Sequence, residues 1–384
     1  MRVLVLDTIH GGADLAAALR DAGHEADEVD IYRGRAGIPV EEALARTYDL
    51  VTAPVHLDPD HPLLRRHGPV VSHHEMVQRV LGDRLPHPFV EITGARGKTT
   101  TAHALAALLP GPGILHTSTG TYRYPEQEVL WKKSITPASL IPAVREAERL
   151  GGWLVAEESL GVTGAGDVAV LTSPEDYPVA AGKKSAIAEK CRLLSRARTV
   201  VLPDGIDLTG GVRAGDMVSF EGEVCRYAGS GVAGRFTNPL STLAGYRTPL
   251  ALAAATACIL GIDPAPLAGF SALPGRMAAR REGEILIVDN ANSGTNRATT
   301  VEAARYAREL SGSGALTLVI GEEARAICEG FSADEIRQTV AAVGPAETVY
   351  VGEGHPAATI AAGLDAARRI TPAGAIVLAV KTWR

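Results

Sequence analysis

The stretch EITGARGKTTTAHAL (residues 91–105) follows Phe89-Val90 and reads as a strand that runs into a glycine-rich turn and then a helix. Such a turn can wrap an anion. Glycines let the backbone close around it, amides point inward, and the helix N-terminus behind the turn adds the positive end of its dipole. Here Gly94 and Gly97 shape the turn between Thr93 and Thr100, with Ala95 and Arg96 at its tip. Lys98 has the reach for the outer phosphates of a nucleotide. Thr99 has the hydroxyl that would ligate Mg²⁺, and the helix from Thr100 onward backs the loop. The full G-x-x-x-x-G-K-[ST] pattern is not met, because Ile92 stands where the first glycine would be. What remains is T-G-x-x-G-K-T-T between a strand and a helix. The competing reading, a surface turn with a chance lysine, gives no reason for that context.

Working outward, MRVLVLD is a buried-strand pattern, and His10-Gly11-Gly12 turns it into an amphipathic run, ADLAAALRDAGHEADEVDIY. YDLVTAPVH is a further strand before the proline-rich LDPDHP, and GDRLPHP (82–88) reads as a boundary. Beyond the quoted loop, WLVAEES, VAVLTS and TVVLPD alternate with helical runs, which predicts a mainly parallel sheet with helices on both faces. Residues 210–236 predict a small antiparallel excursion, TPLALAAATACILGI a buried helix, and GFSALPGRMAARREGE (269–284) a polar loop and second boundary. The last hundred residues repeat the β/α alternation with four strands and three helices.

The 384 residues are too many for one ordinary domain and predict two or three. Net charge is -6, and no block of Lys/Arg stands out, so no nucleic-acid footprint is present. No apolar run reaches the ~18 residues a bilayer span needs, and no signal-peptide pattern opens the chain. Cys191, Cys225, Cys258 and Cys328 are widely spaced, which argues against a disulfide framework or a zinc site and fits a reducing cytoplasm.

The segment ITGARGKTTT resembles the signature of the Mur ligase family, which usually reads I-T-G-T-N-G-K-T-T. Other segments carry the resemblance along most of the chain. HTSTGTYRY (116–124) resembles the family's T-G-T loop, and WLVAEESLGVTGAGDVAVLTS its E-x-S strand and the strand after it. LPGRM (273–277) resembles the hinge into the last domain, and VDNANSGTN (288–296) the loop that opens that domain. The resemblance implies an α/β fold with three domains. These are an N-terminal Rossmann-like substrate-binding domain (1–88), a central P-loop ATPase-type parallel sheet (89–281) and a C-terminal Rossmann-like lid (282–384). It also implies an ATP- and Mg²⁺-dependent ligase that activates a carboxylate as an acyl phosphate and releases ADP and phosphate.

Carried over residue by residue, Thr93, Gly94, Ala95, Arg96, Gly97, Lys98, Thr99 and Thr100 would hold the nucleotide, with Arg276 and Asp289 from the last domain. Glu157 would hold a second Mg²⁺ with Thr99, and Glu158 would be a surface or capping residue. Lys190 would be the lysine that the family carbamylates as a metal ligand, with Lys183 and Lys184 competing for the role. Departures from the pattern are also present. Tyr177 beside Asp176 leaves no histidine for the metal, the helix start that orders adenine is absent from AGYRTPLALAA, and only Lys381 remains of a C-terminal G-K-G.

Within the family, the compact first domain (VLDTIHGG, APVHLDP, PVVSHHEM) and the altered DNANSGTN loop resemble a branch whose substrate is a nickel tetrapyrrole with a free propionate. That implies His10, Gly11, Gly12 and His56 as walls of a macrocycle site, no protein His/Cys metal centre, and a cytoplasmic monomer or homodimer. Two alternatives stay open: an amide ligase of the same family that joins an amino acid to a carboxylate, and a P-loop regulatory protein without ligase activity.

Overall fold

The computed structural model describes residues 1–323 and 330–382, and Cys328 lies outside them. Within these residues the chain forms two compact units, Met1–Phe270 and Ser271–Arg384.

The first unit begins with β1 (Arg2–Leu6), α1 (Ala13–Asp21), β2 (Glu25–Val29), α2 (Val40–Ala45), β3 (Leu50–Ala53), α3 (Pro62–Arg66), β4 (Val70–Ser72) and α4 (His73–Leu81). The strands form a parallel sheet in the order β2-β1-β3-β4. Val3, Leu4, Val5 and Leu6 are all fully buried, as a strand covered on both faces requires. Ser72 starts α4 with a reciprocal capping box to Glu75.

The central sheet follows. It contains β5 (Phe89–Thr93), β6 (Gly113–Thr117), β7 (Gly120–Tyr124), β8 (Glu128–Trp131), β9 (Trp153–Glu157), β10 (Val168–Leu171), β13 (Val200–Leu202) and β14 (Gly211–Arg213). Two short strands, β11 (Pro178–Val179) and β12 (Lys184–Ser185), pair separately. The order is β14-β13-β10-β5-β9-β6-β7-β8, parallel except for the β6-β7-β8 meander at one edge. Its helices are α5 (Lys98–Ala106), α6 (Leu140–Leu150), α7 (Ala186–Leu194) and α8 (Ala244–Ile259). The P-loop strand β5 lies between β9 and β10, so the ends of all three face one crevice. In open α/β sheets that position is where ligands bind.

An apolar cluster joins the first sheet to the central one. Val3, Val5, Leu15, Leu19 and Met76 from the first pack with Phe89, Ile114, Leu140 and Leu154 from the second. The antiparallel excursion is β15 (Val218–Glu221), β16 (Val224–Gly229) and β17 (Val232–Thr237). Helix α8 is lined by small residues, Ala253 to Ala255 among them, which are fully buried.

The second unit has β18 (Ala278–Glu282), β19 (Ile285–Asp289), α9 (Arg297–Ser311), β20 (Leu316–Glu322), α10 (Ala333–Val343), β21 (Glu347–Val351), α11 (Ile360–Ile370) and β22 (Gly374–Lys381). Its sheet runs β18-β19-β22-β20-β21, with β18 antiparallel. The four parallel strands and three helices follow the β/α reading. Strand β18 corrects it, because AARRE within 269–284 is an edge strand rather than loop. Its outward arginines hid the pattern: an edge strand keeps polar side chains toward water. No helix among the described residues is long and apolar enough to cross a membrane.

Candidate active site

The turn after β5 has the backbone its sequence demands. Gly94 has φ +149°, and a Cβ there would lie 2.1 Å from the Thr172 hydroxyl. Gly97 caps α5 in the left-handed conformation at φ +82°. The helix starts at Lys98, two residues earlier than the expected Thr100, so Lys98 and Thr99 sit in its first turn. Thr93 closes β5 and is buried, and its carbonyl accepts the amide of Thr172 at 2.8 Å. The amides of Ala95 and Arg96 both donate to the Ser173 hydroxyl, at 3.0 and 3.2 Å. The Arg96 guanidinium pairs with Glu175. Thr100 is buried behind the turn.

Glu157, at the end of β9, faces this turn. One carboxylate oxygen accepts from the Thr99 hydroxyl at 2.9 Å, the Ser118 amide at 3.1 Å and the Ser118 hydroxyl at 3.3 Å. The other lies 3.8 Å from the Lys98 ammonium. Lys98 itself donates to the Gly94 carbonyl at 3.0 Å. The result is a buried knot of one ammonium, two hydroxyls and one carboxylate at the ends of adjacent parallel strands. Hydroxyl and carboxylate oxygens are the hard donors that Mg²⁺ takes.

Glu158 corrects the surface assignment. It points to the other side of the strand end and is 1% exposed. Burial first, and the charge of Glu91 second, push its carboxyl well above the usual range. Glu91, also buried, uses its oxygens on the amides of Thr163, Gly164 and Gly166 and the Thr163 hydroxyl.

The three lysines separate clearly. Lys183 is partly exposed and held by Asp58 and Asp60 at 2.7 and 2.5 Å. Lys184 lies 3.4 Å from Glu189. Lys190 is fully buried, its ammonium 4.6 Å from the centre of the Tyr177 ring and 3.4 Å from its hydroxyl. Burial, and then repulsion from Lys98, pull its amine down to about 8. Tyr177 therefore fills part of the space beside Lys190 in this chain.

In the first sheet, His10 and His56 come together at the ends of β1 and β3, around a residue the sequence reading passed over. Asp7 is fully buried, and its Oδ2 lies 2.5 Å from Nδ1 of His10 and 3.9 Å from Nε2 of His56. The donor atoms of the three side chains lie within 4.8 Å of one another. Gly11 and Gly12 are required by close approach: a Cβ would meet the Thr136 hydroxyl at 2.7 Å and the Asp7 carbonyl at 1.8 Å, respectively.

In the second unit, Arg276 is half-buried in a turn closed by its own amide on the Leu273 carbonyl. Asp289 ends β19, is buried, and accepts the Ala291 amide at 3.1 Å. Asn292 donates to the Gly275 carbonyl at 2.7 Å, which ties LPGRM to VDNANSGTN.

Comparison with known proteins now bears on this arrangement. The chain is 30% identical to coenzyme F(430) synthetase of Methanosarcina acetivorans, over 86% of this chain and 85% of that protein. Residues 279–382 match the family model "Coenzyme F430 synthetase CfbE, C-terminal domain". The chain belongs to the coenzyme F430 synthetase family. Its fold is that of the Mur ligases. MurF from Acinetobacter baumannii is 13% identical, with a TM-score of 0.55 over 97% of this chain and 95% of that one. A pseudomurein peptide ligase type C from Methanothermus fervidus is 16% identical, with a TM-score of 0.51 over 99% and 97%. The regulatory reading is set aside, since this F430 synthetase family member is an enzyme of the ligase type.

Sequence reasoning missed several residues that this family member uses to build the crevice. Ser118 lies inside the quoted T-S-T-G-T segment, and Ser173 ends LTS, so both had a signal in position but none in residue type. Asp7 had none, and Glu158, read as a surface or capping residue, gave no sign of its burial, because burial depends on packing between segments far apart in sequence.

Proposed function

We propose that this F430 synthetase family member is an ATP-dependent cyclo-ligase acting on a nickel tetrapyrrole that carries a free propionate. One observation carries the ATP half: Lys98, Thr99, Ser118 and Glu157 converge at the ends of β5, β6 and β9. The relative from Methanosarcina acetivorans supports the substrate half.

A propionate oxygen attacks the γ-phosphorus of ATP, ADP leaves, and an acyl phosphate results. A carbon of the same macrocycle then attacks the acyl carbon. The carbon–carbon bond forms, phosphate leaves with the C–O electron pair, and that carbon loses its proton, giving a six-membered cyclic ketone. The product is coenzyme F-430.

Lys98 spreads the charge that builds on the transferring phosphoryl group. Thr99 and Glu157, with Lys190 if its amine is carbamylated, would hold Mg²⁺, which when bound neutralises phosphate charge. A buried amine with a lowered pKa has the neutral fraction that carbamylation needs. The glycine turn around Gly94 and Gly97 brings backbone against the phosphates, and Arg276 and Asp289 keep the nucleotide roles that the Mur ligase resemblance assigns. The nucleophile is part of the substrate, so no amino-acid pocket is needed. Residues 1–88 would hold the macrocycle, with His10, Gly11, Gly12 and His56 in its wall. Residues 89–281 would hold ATP, and 282–384 would act as a lid that keeps water from the acyl phosphate.

The test incubates the purified protein with Mg-ATP and the nickel seco-acid, and follows the tetrapyrrole by mass spectrometry and absorbance while ADP is counted. Loss of one water per tetrapyrrole with one ADP formed is the expected result. ADP released only when a carboxylate and an amino acid are supplied together would move the chain to amide ligation.

A further inference from the structure

The turn DTIHGG (7–12) is built more elaborately than a wall needs. Asp7 is a buried carboxylate with left-handed backbone, φ +78°, a conformation that costs energy for a residue with a side chain. One of its oxygens accepts the amides of Ile9 and His10, at 2.8 and 3.2 Å. That leaves the other for Nδ1 of His10, at 2.5 Å. Gly12 lets the Asp7 carbonyl pass at a distance no side chain would allow. Every feature of the turn thus holds one imidazole by one nitrogen. His10 keeps 45% of its side chain exposed, while its partner Asp7 has none.

A carboxylate on Nδ1–H fixes the imidazole tautomer and leaves Nε2 as the basic nitrogen. The surroundings are consistent with that use. Hydrogen bonding to Asp7 raises the His10 pKa, against opposing burial and the charge of Arg33. His56 packs edge-on against His10 at 4.8 Å, and burial lowers its pKa. Tyr32 also packs on His10 at 5.5 Å, and burial pushes its hydroxyl up to about 12. His10 is therefore the group in this cluster whose basicity the carboxylate strengthens.

The turn also abuts the ATP crevice. Gly11 packs on Thr136, and the adjacent Ile135 carbonyl accepts the amide of Ser159 at 2.9 Å, two residues past Glu157.

Ring closure as proposed above needs a proton removed from carbon, and the reading above already gives Lys98, Thr99, Glu157 and Lys190 to the phosphates and Mg²⁺. We propose that His10, positioned by Asp7, is the general base of the carbon–carbon bond-forming step. Nε2 takes the C–H proton of the macrocycle carbon as that carbon bonds to the acyl carbon and phosphate departs. The proton then passes to solvent, which restores the base. This inference rests on the cyclo-ligase reading.

The experiment separates the two half-reactions in the full chain with Mg-ATP and the nickel seco-acid. Acyl phosphate is trapped as the hydroxamate with hydroxylamine, and ring closure is read from the tetrapyrrole mass and spectrum. In His10→Gln, ring closure should fall about 10²- to 10⁴-fold, the usual contribution of a positioned base, and by far more than acyl-phosphate trapping falls. In Asp7→Asn, the acidic limb of the ring-closure pH profile should move to lower pH, since the carboxylate that raises the His10 pKa is gone. His10→Gln sits on the surface and keeps the test valid if Asp7→Asn fails to fold. Ring closure by His10→Gln at the wild-type rate would overturn the inference. So would equal loss of trapping and closure, or a stoichiometric transition metal in the wild-type protein that His10→Gln lacks. Failure of the wild-type protein itself to close the ring is a different result, and it sinks the cyclo-ligase reading beneath the inference.

Discussion

The turn after β1 and the turn after β5 are built on one plan and do different things with it. Each follows a buried parallel strand, each depends on two glycines, and each leads into a helix of nine residues. The β5 turn puts glycines where the chain must be left-handed, at Gly94 and Gly97, and gathers a lysine, hydroxyls and a carboxylate around its helix start. In the β1 turn it is an aspartate that takes the left-handed position next to the strand, and that aspartate spends both oxygens on the loop and its histidine. A charged ligand suits the first arrangement, and proton transfer the second. Each turn also has a left-handed glycine further on, Gly11 and Gly97, so the two are specialised by which residue bears the positive φ next to the strand.

The largest effect should come from breaking the phosphate side of this pair. Lys98→Met removes the ammonium that lies 3.8 Å from Glu157 and keeps the volume of the stem. ADP formation in the presence of the tetrapyrrole should fall by about 10³-fold, in line with loss of one preorganised charge at a transferring group. A variant that forms ADP within a few-fold of the wild-type rate would remove Lys98 from the chemistry.

The glycines can be set against each other. In Gly12→Ala the new methyl would sit 1.8 Å from the backbone oxygen of Asp7, which cannot rotate away. That places it among the strongly destabilising substitutions, about 3 kcal/mol by urea unfolding. In Gly97→Ala the methyl meets only ordinary contacts, the nearest at 3.4 Å, so the cost is the positive φ alone, about 1 kcal/mol. Equal costs would mean that the β1 turn relaxes and that its close approach is not enforced.

Cation crowding beside the β5 turn gives the third test. Lys190 has its amine pulled down to about 8 by burial and Lys98, from an ordinary 10.5. Between those values the unfolded chain binds more protons than the folded one, so stability should rise with pH across that window. Wild type should gain a few kcal/mol there relative to Lys190→Met, measured by urea midpoints. Bicarbonate should flatten the slope, because a carbamate has no ammonium to lose.

What could be read from the sequence follows from distance along the chain. The P-loop turn lies within a few residues, and its strand-turn-helix context is local, so Lys98 and Thr99 were visible together. Glu157 was visible because E-x-S sits on a recognisable strand. The β1 turn was only half visible: His10, Gly11 and Gly12 stood out, but Asp7 looked like the end of a strand. Its partner His56 lies on another strand end, and only the parallel pairing of β1 with β3 brings them together. The edge strand β18 reads as loop in the sequence because arginines and a glutamate mask its pattern, although they are what an edge requires.

Glu157 and Glu158 show the same limit at the scale of one peptide bond, and they supply the smallest predicted effect. The alternation of a strand sends the two side chains to opposite faces. Glu157 meets hydroxyls, an amide and an ammonium, whereas Glu158 is buried beside the charge of Glu91. The raised pKa means that Glu158 keeps its proton in the folded chain at pH values where the unfolded chain has released it. Its contribution to stability is therefore complete below about 4.5 and is lost as pH rises through the folded value. Glu158→Gln has a similar shape and no proton to lose, so it should remove that slope. Its melting temperature should exceed that of wild type by about 2–4 °C at pH 8, and the gap should close toward pH 5. A gap that widens on acidification would mean that Glu158 is ionised in the fold and is held by a positive partner instead.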